Sequence, residues 1–192
     1  MSLEKTEYSM NKKLRLLVTA HCHNSCPKCC NKQFDLNSLP VVDRWDYDEV
    51  CITGGEPLIS LKKTRRLIRL IEGIREIWKA TGHEGKIYVY SATRKGFLLA
   101  KITPYVDGIV YTPHYFQEIL PLIAFSRWVV NKGWHYPERN KSFRLNVFPD
   151  MMPYLEQLDQ NRMKIWKIKQ IEWVDNCPVP EGEDFRRIHN MY

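Results

Sequence analysis

A chain of 192 residues with 44% apolar and 27% charged side chains has the size and composition of one globular domain with a core of its own. No apolar run approaches the roughly 18–20 residues of a membrane span, and residues 1–11 are polar and mixed in charge, unlike a secretory leader. The net charge of +7, from 29 Lys and Arg against 22 Asp and Glu, admits a nucleic acid or an acidic protein as partner without requiring either.

Residues 1–11 read as an N-terminal tail. A first strand runs from Lys13 to Ala20 and a second from Glu49 to Thr53. A long helix follows from Leu61 to Ala80, with Leu67, Leu70, Ile71, Ile74, Ile77 and Trp78 as its apolar stripe and Thr81-Gly82 as its stop. Lys62, Lys63, Arg65, Arg66 and Arg69 fall largely off that stripe and read as a solvated face. The third strand is Lys86 to Tyr90, the fourth Gly108 to Tyr111, and a short helical piece near Phe97 to Ile102 lies between them. A helix from Phe116 to Val130, a polar loop over 131–142, a fifth strand from Phe143 to Phe148, a helix over 151–163 and a sixth strand from Lys169 to Val174 complete the body, 12–175. The stretch 176–192 holds Pro178 and Pro180 and reads as an irregular tail. Strand and helix alternate, which predicts an α/β fold with a parallel sheet.

Three of the six cysteines, Cys22, Cys26 and Cys29, stand as C-x3-C-x2-C directly after the first strand. A chain with this much core needs no disulfide staples, and clustered cysteines in a cytosolic chain bind metal more often than they pair, so a reducing cytoplasm is expected. Three thiolates on one loop can hold three corners of a cubane iron–sulfur cluster and leave the fourth iron without a protein ligand. Electron-transfer clusters ordinarily use four cysteines. The other reading is zinc, held by the same three residues with Cys30, His21 or His23, although zinc sites often carry a second Cys pair at a distance and none is present. Cys51, between apolar neighbours in the second strand, reads as core, and Cys30 as a spare packing residue.

Val50-Cys51-Ile52-Thr53-Gly54-Gly55-Glu56-Pro57 reads as a buried strand entering a sharp turn. The glycines permit close backbone approach, and the proline stops further ladder pairing.

Together the two motifs resemble the radical S-adenosylmethionine (radical SAM) superfamily, which carries C-x3-C-x2-C after its first strand and Gly-Gly-Glu-Pro after its second. The resemblance implies a partial (β/α)6 barrel, here with a reduced first helix because Pro40 interrupts the short link between strands one and two. It implies that Cys22, Cys26 and Cys29 ligate a [4Fe-4S] cluster whose open iron chelates the amino and carboxylate groups of S-adenosylmethionine. One electron, from a donor such as flavodoxin or ferredoxin, would cleave that cofactor to methionine and a 5′-deoxyadenosyl radical that takes hydrogen from the substrate. Gly54, Gly55, Glu56 and Pro57 would form the edge that receives the methionine amino group. Ser91 and Thr93 would reach its ribose or carboxylate, or else bond local backbone. Arg144 would bind the carboxylate, and Asn146, on the same strand face, the adenine or ribose. Lys28 stands where most members place an aromatic residue bordering the adenine, so only its backbone would serve there. His114, after strand four, is a further candidate for substrate or cofactor contact.

Cys30-Asn31 extends the loop to C-x3-C-x2-C-x-N, which resembles activating enzymes of glycyl radical enzymes, such as those serving anaerobic ribonucleotide reductase or pyruvate formate-lyase. The expected partner is then a glycyl radical enzyme, and Cys30, Cys51 and Cys177 are too scattered for a second cluster. The alternatives are a small-molecule enzyme similar to the 7-carboxy-7-deazaguanine synthases, for which Asp35, Asp43 and Asp46 would have to supply a magnesium site, and a zinc-dependent nucleic-acid-binding module.

Overall fold

The computed structural model describes residues 12–26, 29–174 and 178–192. The tail 1–11, Lys28, Cys177 and the side chain of Cys30 lie outside the described residues. Seven strands form one sheet: β1 (Lys13–Thr19), β2 (Glu49–Gly54), β3 (Lys86–Ser91), β4 (Gly108–Tyr111), β5 (Ser142–Val147), β6 (Lys167–Gln170) and β7 (Glu183–Arg187). Their order is β6-β5-β4-β3-β2-β1-β7, and every pairing is parallel. This is an α/β fold whose sheet is consistent with a partial barrel.

Five α-helices belong to the crossovers: α1 (Leu61–Thr81), α2 (Gly96–Ile102), α3 (Ile119–Asn131), α4 (Met152–Glu156) and α5 (Gln160–Met163). Parallel strands need such crossovers because a tight hairpin cannot join them. The Ser60 hydroxyl accepts from the Lys63 N–H to cap the start of α1, and Gly82, at φ 69°, closes its end in the left-handed region. The buried stripe of α1 is Thr64, Leu67, Ile68, Ile71, Ile74 and Trp78. Ile77, expected on that stripe, is 40% exposed, because at 3.6 residues per turn it rotates past the edge of the face set by Leu67, Ile71 and Ile74. Alternate strand residues meet this helix layer: Leu14, Leu16 and Val18 on β1, Val50 and Ile52 on β2, Ile87 and Val89 on β3, and Phe143, Leu145 and Val147 on β5. Each such side chain contributes about 1.5–3 kcal/mol by leaving water. The intervening residues, among them Arg15, Cys51, Tyr88, Arg144, Asn146 and Phe185, share the other sheet face.

Between β1 and β2 the described residues hold only a single 3-10 turn, Cys30–Lys32, and no α-helix, in line with the reduced first helix. The link instead clips to β7. The Arg187 N–H donates to the Pro40 carbonyl at 2.9 Å, and the Val42 N–H donates to the Arg187 carbonyl at 2.9 Å.

Three expectations are corrected. The stretch 176–192 is not wholly irregular, since it supplies β7 beside β1. The helix over 151–163 is broken: a 3-10 turn Pro149–Met151 leads into α4, and α5 restarts where the Asp159 carboxylate accepts from the Asn161 N–H. The sixth strand starts earlier, at Lys167, in register with Arg144, so Trp173 sits in the loop beyond it. No helix among the described residues is long and apolar enough to cross a membrane.

Candidate functional site

The site begins where β2 ends. The Gly55 N–H donates to the Thr19 carbonyl at 2.6 Å, and the Glu56 N–H donates to the His21 carbonyl at 2.7 Å. These bonds carry the β1–β2 pairing past the strands and press the bend of Gly54 and Gly55 onto the start of the cysteine loop. A side chain cannot fit there. A Cβ on Gly54, whose φ is +141°, would stand 2.2 Å from the Thr19 oxygen, and one on Gly55 would stand 2.1 Å from the His21 oxygen. The two glycines therefore place Cys22 next to the end of β2.

Cys22, Cys26 and Cys29 all line one cavity of about 200 Å³, together with Gly54, Gly55, Glu56, Asn24, Asn31, His114 and Trp173. Cys22 is exposed, Cys26 buried and Cys29 between them. Burial raises the Cys22 thiol and, with Cys29 and Cys22 nearby, pushes the Cys26 thiol up to about 11. The Asn24 N–H donates to Cys22 Sγ at 3.3 Å. No three His, Cys, Asp or Glu side chains among the described residues converge as a single metal ion requires. The corners of a cubane lie on separate irons, so its cysteines ring a cavity rather than meet at a point. The donor set, three soft thiols about one recess, fits such a group.

Glu56 is fully buried, and burial pushes its carboxyl up to about 7. Its Oε1 accepts from the Leu58 N–H and the Ser91 hydroxyl, both at 2.8 Å, and its Oε2 from the Ala92 N–H at 2.7 Å. It fastens the end of β2 to the end of β3 while still lining the cavity. Ser91 is held by that bond, and the Thr93 hydroxyl donates to the Leu58 carbonyl at 3.0 Å. Both hydroxyls tie the end of β3 to the segment after β2. Pro57 is buried behind the bend.

A second buried acid, Glu118, has no counterpart in the sequence reading. It accepts from Asn24 Nδ2 (2.6 Å) and from the N–H groups of His114 (2.6 Å) and Tyr115 (3.2 Å), and Arg94 lies 3.7 Å away. Arg94 also donates to Asn24 Oδ1 at 2.9 Å. The cysteine loop is thereby tied to the loop after β4. The available signal was Tyr115-x-x-Glu118, a capping box with tyrosine in place of the usual Ser or Thr.

His114 also lines the cavity. Its Nδ1 is buried with no hydrogen-bond partner, and burial lowers the imidazole to about 4. Its ring packs 5.4 Å from Phe148 and 5.5 Å from Trp173, which stack on each other at 4.2 Å. His114 and Trp173 both line the cavity, and Phe148 stacks behind them.

Arg144 and Asn146 are not among the residues lining this cavity. Arg144 lies 4.6 Å over the Tyr88 ring and borders a different recess, near the starts of the strands. It is the third residue of β5, so it points into the sheet face well below the loop ends. Asp35, Asp43 and Asp46 do not meet. Asp35 accepts from the Asn37 N–H, Asp43 pairs with Arg186 at 2.9 Å, and Asp46 pairs with Lys12 at 3.1 Å.

No family model matches the chain, and no solved structure matches it. Among curated proteins it is similar to a GTP 3′,8-cyclase of Synechococcus sp. (strain CC9605), 33% identical over 73 residues. That alignment covers 33% of this chain and 20% of the cyclase.

Proposed function

We propose that the protein is a radical SAM enzyme. Cys22, Cys26 and Cys29 would hold a [4Fe-4S] cluster, which when bound supplies the electron for reductive cleavage of S-adenosylmethionine to methionine and a 5′-deoxyadenosyl radical. The observation that carries this reading is the shared cavity: three thiols and the Gly54-Gly55-Glu56 bend, far apart in sequence, line one recess at the C-terminal ends of the strands, where sites of parallel α/β barrels lie. Similarity to a GTP 3′,8-cyclase, a radical SAM enzyme, supports the superfamily.

The protein's own part is to position and to exclude water. The bend offers backbone to the methionine amino group, and Glu56, bonded to Leu58, Ser91 and Ala92, holds that bend in place. His114 and Trp173 line the same recess. Flavodoxin or ferredoxin would supply the electron. Within the superfamily, the Cys30-Asn31 extension and the position of Asn31 in the cavity support an activating enzyme acting on a backbone glycine of a partner protein.

The test is anaerobic. Protein reconstituted with iron and sulfide, reduced with dithionite and given S-adenosylmethionine should form 5′-deoxyadenosine, and Cys26→Ala should lose both bound iron and product. Uptake of zinc alone, with no 5′-deoxyadenosine from the parent, would overturn the reading in favour of a zinc-binding module. Deuterium transfer into 5′-deoxyadenosine from a deuterated glycyl peptide, and not from labelled small molecules, would establish the activating role.

A further inference from the structure

At the other end of the sheet, the starts of β3, β5 and β6 border a cavity of about 710 Å³. Lys86, Lys141, Arg144, Lys164 and Lys167 all line it, against a single carboxylate, Asp107. Asp107 is already engaged, since it pairs with Arg75 and accepts from the Ile87 N–H at 2.7 Å. Lys141 is anchored through its ammonium to the Val106 carbonyl and lies 5.6 Å over the Trp134 ring. The Arg144 guanidinium carbon lies 4.6 Å over the Tyr88 ring. Lys86, Arg144 and Lys167 have no carboxylate within ion-pair distance among the described residues. The backbone sets this crowding, because the parallel register puts Arg144 directly beside Lys167.

Like charges gathered about a recess repel one another, and among the described residues lining this one, Asp107 alone opposes them, already paired with Arg75. A cavity of this size admits a small molecule. The cations ring a concavity rather than follow a stripe, as a nucleic-acid backbone would require. One phosphate group would satisfy only part of the set. We propose that this cavity binds an oligophosphate anion, the chemistry shared by inorganic triphosphate and a nucleoside triphosphate. Arg144 would provide the planar, forked donor and Lys164, whose ammonium donates to Asn161 Oδ1 at 3.1 Å, and Lys167 the further positive charge. The site stands apart from the cysteine cavity and from the reading given to it.

The experiment is calorimetric titration of the intact chain at low salt with three probes: inorganic triphosphate, ATP and a single-stranded oligonucleotide. Triphosphate should bind with one-to-one stoichiometry, and the double variant Lys164→Glu/Lys167→Glu should weaken it by about tenfold or more. The control Lys62→Glu/Arg65→Glu, which makes the same charge change on the exposed face of α1, should weaken it far less. Arg144→Gln, which keeps a polar planar group over Tyr88, provides a second reading from within the cavity. ATP binding tighter than triphosphate would assign recognition to the nucleoside as well, and equal binding would assign it to the phosphate chain alone. Absence of triphosphate binding at millimolar concentration, equal loss in the α1 control, or oligonucleotide binding tighter than triphosphate would each overturn the proposal.

Discussion

At the C-terminal ends of the strands two buried acids, Glu56 and Glu118, each accept three hydrogen bonds from groups on different loops. At the opposite end, Lys86, Arg144 and Lys167 face a cavity whose one carboxylate, Asp107, is paired with Arg75 instead. The first arrangement spends its charges on holding loops together around a recess. The second leaves its charges unspent. The contrast separates polar groups that build the fold from polar groups the fold does not need, and it makes opposite predictions for stability at the two ends.

The largest effect is expected at the glycine bend. Gly55→Ala must displace the His21 carbonyl or the bend itself, and should cost about 4 kcal/mol in urea unfolding, the range of severe backbone and packing lesions. Glu118→Ala leaves the Asn24 amide and two backbone N–H groups without their acceptor and should cost about 3 kcal/mol. Glu118→Gln, which keeps one oxygen, should recover part of it.

Glu56 gives a pH signature. Its carboxyl titrates near 7 in the folded chain against 4.5 for an ordinary glutamate, so the folded state holds a proton that the unfolded state has released between those values. Stability should therefore fall as pH rises from 4.5 to 7, by about 2–3 kcal/mol, and level off above. Glu56→Gln should remove that slope, and an unchanged slope would locate the titration elsewhere. The smallest effect belongs to the other end. Lys164→Glu/Lys167→Glu should change unfolding by no more than about 0.5 kcal/mol, and a loss well beyond that would show these cations to be structural, collapsing the contrast between the two ends.

Much of the fold was legible because it rests on period and punctuation. The strand–helix alternation, the stop of α1 at Thr81-Gly82 and the limits of β4 follow from residues close in sequence. β7 was not legible, because Glu183-Asp184-Phe185-Arg186-Arg187 carries one apolar residue and becomes a strand through its pairing with β1 and the Arg15–Glu183 ion pair at 2.7 Å. Glu118 was hidden for a related reason: Asn24, which it holds, lies 94 positions away. The cysteine loop and the glycine bend were legible as motifs, and the structure adds the carbonyls of Thr19 and His21 that make the glycines necessary. The family resemblance of its run makes Arg144 a carboxylate partner, whereas the structure sets it in β5 over Tyr88, bordering the recess at the other end of the sheet.

The position of β7 has a consequence for folding order. β1 is the first described strand and β7 the last, yet they lie side by side. A chain emerging from the ribosome can pair β1 with β2 early, but the outer edge of β1 stays open until residues 183–187 arrive. Such end-to-end closure carries a long loop and slows folding. Phe185, which borders the cysteine cavity and meets Phe34 edge-on at 5.3 Å, is therefore among the last side chains to settle. Until then the recess lined by Cys22, Cys26 and Cys29 stands open on the side that Phe185 borders.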